Sequence, residues 1–322
     1  MIKPRHRPLA VGRQKPRAVL IARAGFTAVD LIVCVVLVVL TVLVILLLLP
    51  RGREHARMAS CQRNLAFIGF ALAHHDQLEH ALPTVSELAR PDAPRARMPR
   101  SPLLTLLETL EQPNLLGVTD SNTPLTPHPG EVPGEMPVPG FTCASDPNAT
   151  AGHFAAPISY RACTGDTPLG ETGAFRVGRK ISLQEIQDRD GLSFTAAFSE
   201  RLVGDNLASH PAVCNYALCE GPLSGAACPL QTGSPRWRSD AGSSWVSSDY
   251  RSTLYNHALA PGGQPSCIDN AGRTAFMGAS SGHVPGVNLL LMDGRVMVVT
   301  RSIDPTIWKD FARIGTIQSS DD

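Results

Sequence analysis

A chain of 322 residues, 43% of them apolar, can bury one sizeable core or two small ones. Only 18% of its residues are charged, and the formal net charge of +1 hides an asymmetry: residues 1–24 hold seven of the 29 Lys and Arg and no acid. The segment after this basic tail is so apolar that the tail reads as the cytoplasmic flank of a membrane span rather than as a disordered arm that binds nucleic acid or anionic lipid.

The span is Leu31 to Leu49, LIVCVVLVVLTVLVILLLL, which is uncharged and has Thr41 as its one polar interruption. A helix of that length covers about 28 Å, close to the hydrocarbon thickness of a bilayer. The run exceeds the apolar region of a cleaved secretory signal and ends in Pro50-Arg51-Gly52-Arg53, without a small-residue cleavage site. Directly before it stands Arg23-Ala24-Gly25-Phe26-Thr27-Ala28-Val29-Asp30. These residues resemble the type IV prepilin and pseudopilin signature. The resemblance implies cleavage after Gly25, Phe26 as the first mature and methylatable residue, and Asp30 at the acidic fifth position. That family usually has Glu at the fifth position and Leu at the third, where this chain has Ala28. A prepilin peptidase would then be a partner. Without processing, the segment is a plain signal anchor.

Beyond Pro50, which is expected to kink the helix, Met58, Cys61, Leu65, Ile68 and Leu72 recur at spacings of three and four. They predict an amphipathic continuation, with Arg57, Gln62, Arg63 and Asn64 on the other face. His74, His75, Asp76 and His80 invite a metal, but no second ligand cluster at metal-site spacing accompanies them, so they read as a solvated helix end.

Residues 81–140 contain 12 prolines and read as a connection. A short helix is expected over Pro102–Gln112, capped by Ser101, and an exposed loop over Thr119–Pro139. From 141 onward short strands alternate with turns: 141–143, 158–163, 194–198, 245–246 and 273–277. The clearest element is a hairpin, Val287–Met292 and Arg295–Thr300 around Asp293-Gly294, expected as a type I′ turn with both strand faces covered. A helix follows from Asp304 to about Ile314, with Ile303, Ile307, Trp308, Phe311 and Ile314 as its buried face, and then a loose polar tail from Gln318.

The landmarks in order are Gly25-Phe26-Thr27, Cys61 to Leu72, Phe141 to Pro147, Asp190 to Thr195, and His283 followed after nine residues by Asp293-Gly294. Together they resemble the large pilin-like family of planctomycete proteins of unknown function, domain of unknown function 1559, over residues 23 to about 315. Ala144 and Phe194 depart from its usual Pro and Asn. The resemblance implies an α+β, pilin-like fold: a long N-terminal transmembrane and amphipathic helix packed on a mainly antiparallel β domain. Its divisions are a basic leader (1–25), a membrane helix (26–50), the amphipathic continuation (51–80), the Pro-rich connection (81–140) and the domain (141–322). It also implies an inner-membrane, single-pass protein with its domain outside the cytoplasm, assembling with other pilin-like subunits of a type II secretion or type IV pilus-like system. A signal-anchored binding module for an envelope component or glycan is the alternative, with Trp237, Trp245 and Tyr250 to line its groove.

His283 and Asp293 fall at opposite ends of a strand of about 20 Å, so structural roles are expected: a turn for Asp293-Gly294, a bond to a neighbouring loop for His283. Cys34 lies in the membrane run. The other cysteines should pair in an oxidising space. Cys61 with Cys143 would staple helix to domain, since both fall in landmarks of the resemblance. Cys214, Cys219, Cys228 and Cys267 would form two local bridges, leaving Cys163 odd. That quartet lacks the CxxC pair of a zinc knuckle. GxSxG, HExxH, GxxxxGK[ST] and GxGxxG are all missing, so no catalysis and no metal is expected. Glu200 and Asp205 read as surface-loop acids. The loops Asp188–Asp190 and Ser239–Asp249 are candidates for Ca2+, though without EF-hand spacing.

Overall fold

The computed structural model describes residues 27–85, 88, 101–107, 109–110, 136–138, 140–207, 210–230, 236–262 and 265–315. The basic leader, Gly25 and Phe26, most of the 119–139 loop and the polar tail lie outside the described residues. The chain divides into two compact units, Met1–Pro50 and Arg51–Asp322. The amphipathic continuation therefore belongs with the β domain.

Helix α1, Ala28–Glu79, runs through both units. Its start is a reciprocal capping box. Thr27 donates its backbone N–H (2.9 Å) and its hydroxyl (2.7 Å) to Asp30 Oδ2, and the Asp30 N–H returns a 3.3 Å bond to Thr27 Oγ1. In the first unit the apolar side chains from Val29 to Leu47 are exposed on every face of the helix. This is the single helix among the described residues that is long and apolar enough to cross a membrane. Thr41 donates its hydroxyl to the Leu37 carbonyl at 2.7 Å, so it carries no unmet polar group into an apolar medium.

In the second unit α1 buries Cys61, Leu65, Ile68 and Leu72, the face its spacing predicts. Gly69 lies on the same side. A Cβ there would stand 3.0 Å from Leu290 Cδ1 and 3.3 Å from Gly294 Cα, so the missing side chain lets the hairpin come close. At its end, Asp76 accepts the free N–H of Leu183, the first residue of a later helix, at 3.0 Å.

Two sheets follow. The larger has the order β5-β1-β2-β8-β9: β5 Leu254–Tyr255, β1 Tyr160–Cys163, β2 Ala196–Glu200, β8 Gly286–Leu291 and β9 Val296–Thr300. The β1–β5 pair is parallel and the other three are antiparallel. The smaller has the order β4-β3-β6-β7: β4 Arg236–Arg238, β3 Tyr216–Cys219, β6 Ser266–Asp269 and β7 Ala275–Phe276, with β3 and β6 parallel. The short helices are α2 Pro102–Thr105, α3 Pro147–Thr150, α4 Leu183–Arg189 and α5 Pro305–Ala312, and a 3-10 turn covers Leu192–Phe194. The architecture is α+β, with a long N-terminal helix and a mixed, mostly antiparallel sheet domain.

Several local expectations are corrected. The Asp293-Gly294 turn is not type I′. That turn needs positive φ at both residues, and here only Gly294 has it (φ +86). The Gly294 N–H bonds the Leu291 carbonyl and Leu291 N–H bonds the Arg295 carbonyl, so Met292, Asp293 and Gly294 form a three-residue loop. β8 is buried on both faces, but β9 is an edge strand with Met297 exposed. Residues 141–143 and 245–246 are bends rather than strands, and α2 is one short turn, capped by Ser101. In α5 the Asp304 cap forms at 2.8 Å to the Thr306 N–H; Trp308 and Ile314 are buried and Ile303 and Phe311 pack against the core as expected, but Ile307 is exposed and Ala312 takes its place on the buried face.

Candidate functional site

Residue 54 sits four positions before Met58 and so continues the buried stripe of α1 by one more turn. It is Glu54, an acid on the core side of the helix. Its carboxylate faces His283, whose Nδ1 lies 2.5 Å from Glu54 Oε1. Ser145 donates its hydroxyl to the same carboxylate at 3.0 Å. His283 is 1% exposed. Its other ring nitrogen, Nε2, lies 3.3 Å from Cys143 Sγ and 3.4 Å from Glu200 Oε1. Cys143 is bonded to Cys61 of α1, with 5.2 Å between the Cα atoms.

Each element is held in place by local chemistry. Glu200 ends β2 and is buried. The Asn288 backbone N–H (2.9 Å) and side-chain amide (3.0 Å) both donate to it from β8. Gln62 of α1 donates to Asn288 Oδ1 at 3.1 Å. The segment bearing Cys143 and Ser145 is fixed by the buried Asp146. Asp146 caps α3 through the Asn148 and Ala149 N–H groups and accepts from Ser159 Oγ and Val203 N–H, both at 2.9 Å. Burial raises the Asp146 carboxyl above its ordinary value despite these four donors. Gly282 lets the His283 turn reach this segment: a Cβ at that position would stand 1.9 Å from the Ser145 carbonyl oxygen.

Burial alone would push His283 down, but the carboxylates of Glu200 and Glu54 outweigh it and hold the imidazole above its usual range. Burial acts upward on Glu54, and hydrogen bonds from His283 and Ser145 pull it below its usual value. The result is a carboxylate–imidazole–carboxylate clamp joining α1, the end of β2 and the turn that precedes β8, closed by a disulfide. Removing one partner would leave a buried charge unmet.

The structure places the other candidates apart from this clamp. Asp293 lies at the far end of β8. Its carboxylate accepts from Ser193 Oγ at 2.7 Å and from Arg295 Nε at 2.6 Å, and so ties the hairpin to the 3-10 turn. His283 meets the neighbouring 141–146 loop through Cys143 Sγ, as expected, and in addition bonds Glu54 of α1 and faces Glu200 of β2. Asp30 serves the capping box. Glu200 is a core residue at a strand end, while Asp205 faces Asn215 and His210. In the cysteine quartet Cys228 bonds Cys267, but Cys214 and Cys219 are unbonded, so one bridge replaces the two expected there. Cys163 is unbonded and buried. Trp245 and Tyr250 are in the core, and Trp245 packs edge-to-face on Phe141, so neither lines a groove. The carboxylates of the proposed Ca2+ loops meet protein donors: Asp240 faces Arg238 at 2.9 Å, Asp249 accepts from Ser247 Oγ at 2.5 Å, and Asp190 accepts the Gly315 N–H.

Glu54, Ser145 and Asn288 carry no role in the sequence analysis, and Gln62, expected on the polar face of α1, instead bonds Asn288 of β8. A signal was present for two of them. Glu54 is an acid in an apolar helical stripe, and Asn288 is an amide within the apolar run of β8.

A long N-terminal helix, apolar enough in its first half to be a candidate membrane anchor, is stapled in its second half to a two-sheet α+β domain by a disulfide and a cluster of ionisable side chains. The chain belongs to the family described as protein of unknown function, DUF1559, whose model matches residues 50–306. The match spans Glu54, Cys61, Cys143, Glu200, His283 and Asp293 and begins where the apolar run ends. No curated protein and no solved structure matches the chain.

Proposed function

We propose that the protein is a non-catalytic, pilin-like subunit, anchored in the inner membrane by α1 and displaying its α+β domain outside the cytoplasm. Its partners are the membrane, a prepilin peptidase acting after Gly25, and other pilin-like subunits of a type II secretion or pilus-like assembly. The observation that carries this reading is how the ionisable groups of the junction are used. Buried His283 and Glu200 and half-buried Glu54 are engaged with one another and with Ser145 and Asn288, so their bonding capacity goes into fixing α1 on the sheet. A catalytic dyad would need a free position for substrate. Two disulfides agree with an oxidising compartment.

Intact mass and N-terminal sequencing of protein extracted from membranes test the proposal. A chain beginning at Phe26, with a methylated amine, supports it. A chain that keeps residues 1–25 overturns the pilin-like role and leaves a signal-anchored domain.

A further inference from the structure

The clamp contains four metal-type donors. Cys61 Sγ, Cys143 Sγ, a Glu200 carboxylate oxygen and a His283 ring nitrogen all lie within 4.8 Å of one another, and all four residues are buried. In the oxidised protein the two sulfurs are bonded to each other. We propose that reduction of the Cys61–Cys143 bond turns this junction into a Zn2+ site with Cys61, Cys143, Glu200 and His283 as ligands. Disulfide and metal are then alternative staples between α1 and the sheet, and the metal holds the helix in place before the bond has formed.

The spacing fits. Tetrahedral Zn2+, with Zn–S of about 2.3 Å and Zn–N and Zn–O of about 2.0–2.2 Å, separates neighbouring donors by roughly 3.3–3.8 Å. His283 Nε2 already lies 3.3 Å from Cys143 Sγ and 3.4 Å from Glu200 Oε1. The sulfurs, once unbonded, need only move apart to the same range. The surroundings of the donors also fit. His283 presents Nδ1 to Glu54, which Ser145 holds, and this leaves Nε2 facing the site. The Glu200 carboxylate is oriented by the backbone N–H and side-chain amide of Asn288. A carboxylate behind a ligating imidazole and donors behind a ligating carboxylate are the supports that set ligand orientation in zinc sites.

The chemistry balances with a dithiol reductant. Its thiolate attacks one sulfur of the Cys61–Cys143 bond to form a mixed disulfide, and its second thiol closes the reductant's own disulfide. Two electrons and two protons pass to Cys61 and Cys143. Zn2+ then displaces both thiol protons, and any proton on His283 Nε2, to solvent.

The test uses the full chain in detergent, kept reduced with a phosphine that offers no competing thiol. Co2+ is titrated in first and then displaced by Zn2+ in the presence of a chromophoric chelator. The expected result is one equivalent bound per chain, with thiolate-to-cobalt charge-transfer absorption and a tetrahedral ligand-field band. The oxidised protein should take up none. C61S and H283N should abolish uptake. C228S and C267S should leave it unchanged, which excludes the thiols freed from the other bridge. E54Q keeps all four ligands and should weaken binding by about 10–100-fold, so it decides the matter if C61S or H283N fails to fold. A reduced, folded protein that takes up no Co2+, uptake indifferent to C61S or H283N, or an E54Q affinity equal to wild type would each overturn the proposal.

Discussion

His257 sits where no water reaches it. Its ring stacks on Trp308 with 3.4 Å between centroids. Nδ1 donates to the Trp308 carbonyl at 2.5 Å, so Nε2 is the acceptor for the Tyr255 hydroxyl at 3.0 Å. Burial pulls its pKa from 6.5 down to about 3, with the Trp308 carbonyl opposing. The folded state thus keeps His257 neutral while the unfolded chain protonates it below 6.5. Its contribution to stability is complete above the unfolded value and is lost as pH falls from there towards 3, by up to about 1.4 kcal/mol per pH unit. Thermal melts of the full chain in detergent from pH 7 to pH 4 should show H257Q less stable than wild type at neutral pH, yet falling less steeply with acid. Parallel slopes for the two proteins would mean that His257 is hydrated in the folded state.

At the level of elements, two glycines separate conformational from steric cost. Gly294 closes the β8–β9 hairpin with φ +86 and has open space where a Cβ would go. G294A should therefore cost only the left-handed penalty, about 1–2 kcal/mol. Gly282 faces the Ser145 carbonyl oxygen at 1.9 Å from the place of a Cβ, so backbone must move. G282A should lower the melting midpoint more than G294A and should disturb the clamp. If both variants melt alike, the close approach of the two turns is not needed for stability. The same elements show what the sequence could reveal. The α1 stripe, the hairpin position and the Asp304 cap are written in neighbouring residues, and local spacing is enough to read them. The turn type was harder, because Asp-Gly serves both a two-residue and a three-residue loop, and the register with Arg295 decides between them. The clamp was not legible as a whole. Its contacts join residues 229 and 88 positions apart, and neither the acid in the α1 stripe nor His283 names its partner until the strand order places Glu54, His283 and Glu200 together. Trp245 and Tyr250 were misread for the same reason: an aromatic side chain fits a groove and a core equally well until its neighbours are known.

For the whole molecule, eight cysteines report on where each unit resides. Two disulfides leave Cys34, Cys163, Cys214 and Cys219 as thiols. The last three are buried in the α+β unit, whereas Cys34 is exposed in the apolar half of α1. A thiol reacts as its thiolate, which needs water or a cationic neighbour. Cys34 has neither if Leu31–Leu49 lies in hydrocarbon, and it is open to attack if that half stands in water. A charged maleimide added to sealed and to opened membrane vesicles should therefore leave Cys34 unlabelled in both. The same protein denatured without reductant should give four thiols with a small uncharged reagent. C34S should lower that count to three and leave the vesicle result unchanged. Rapid labelling of Cys34 in opened vesicles would remove α1 from the bilayer, and with it the anchor on which the pilin-like reading stands. Labelling of Cys163, Cys214 or Cys219 would instead show the α+β unit opening, and would leave the anchor intact.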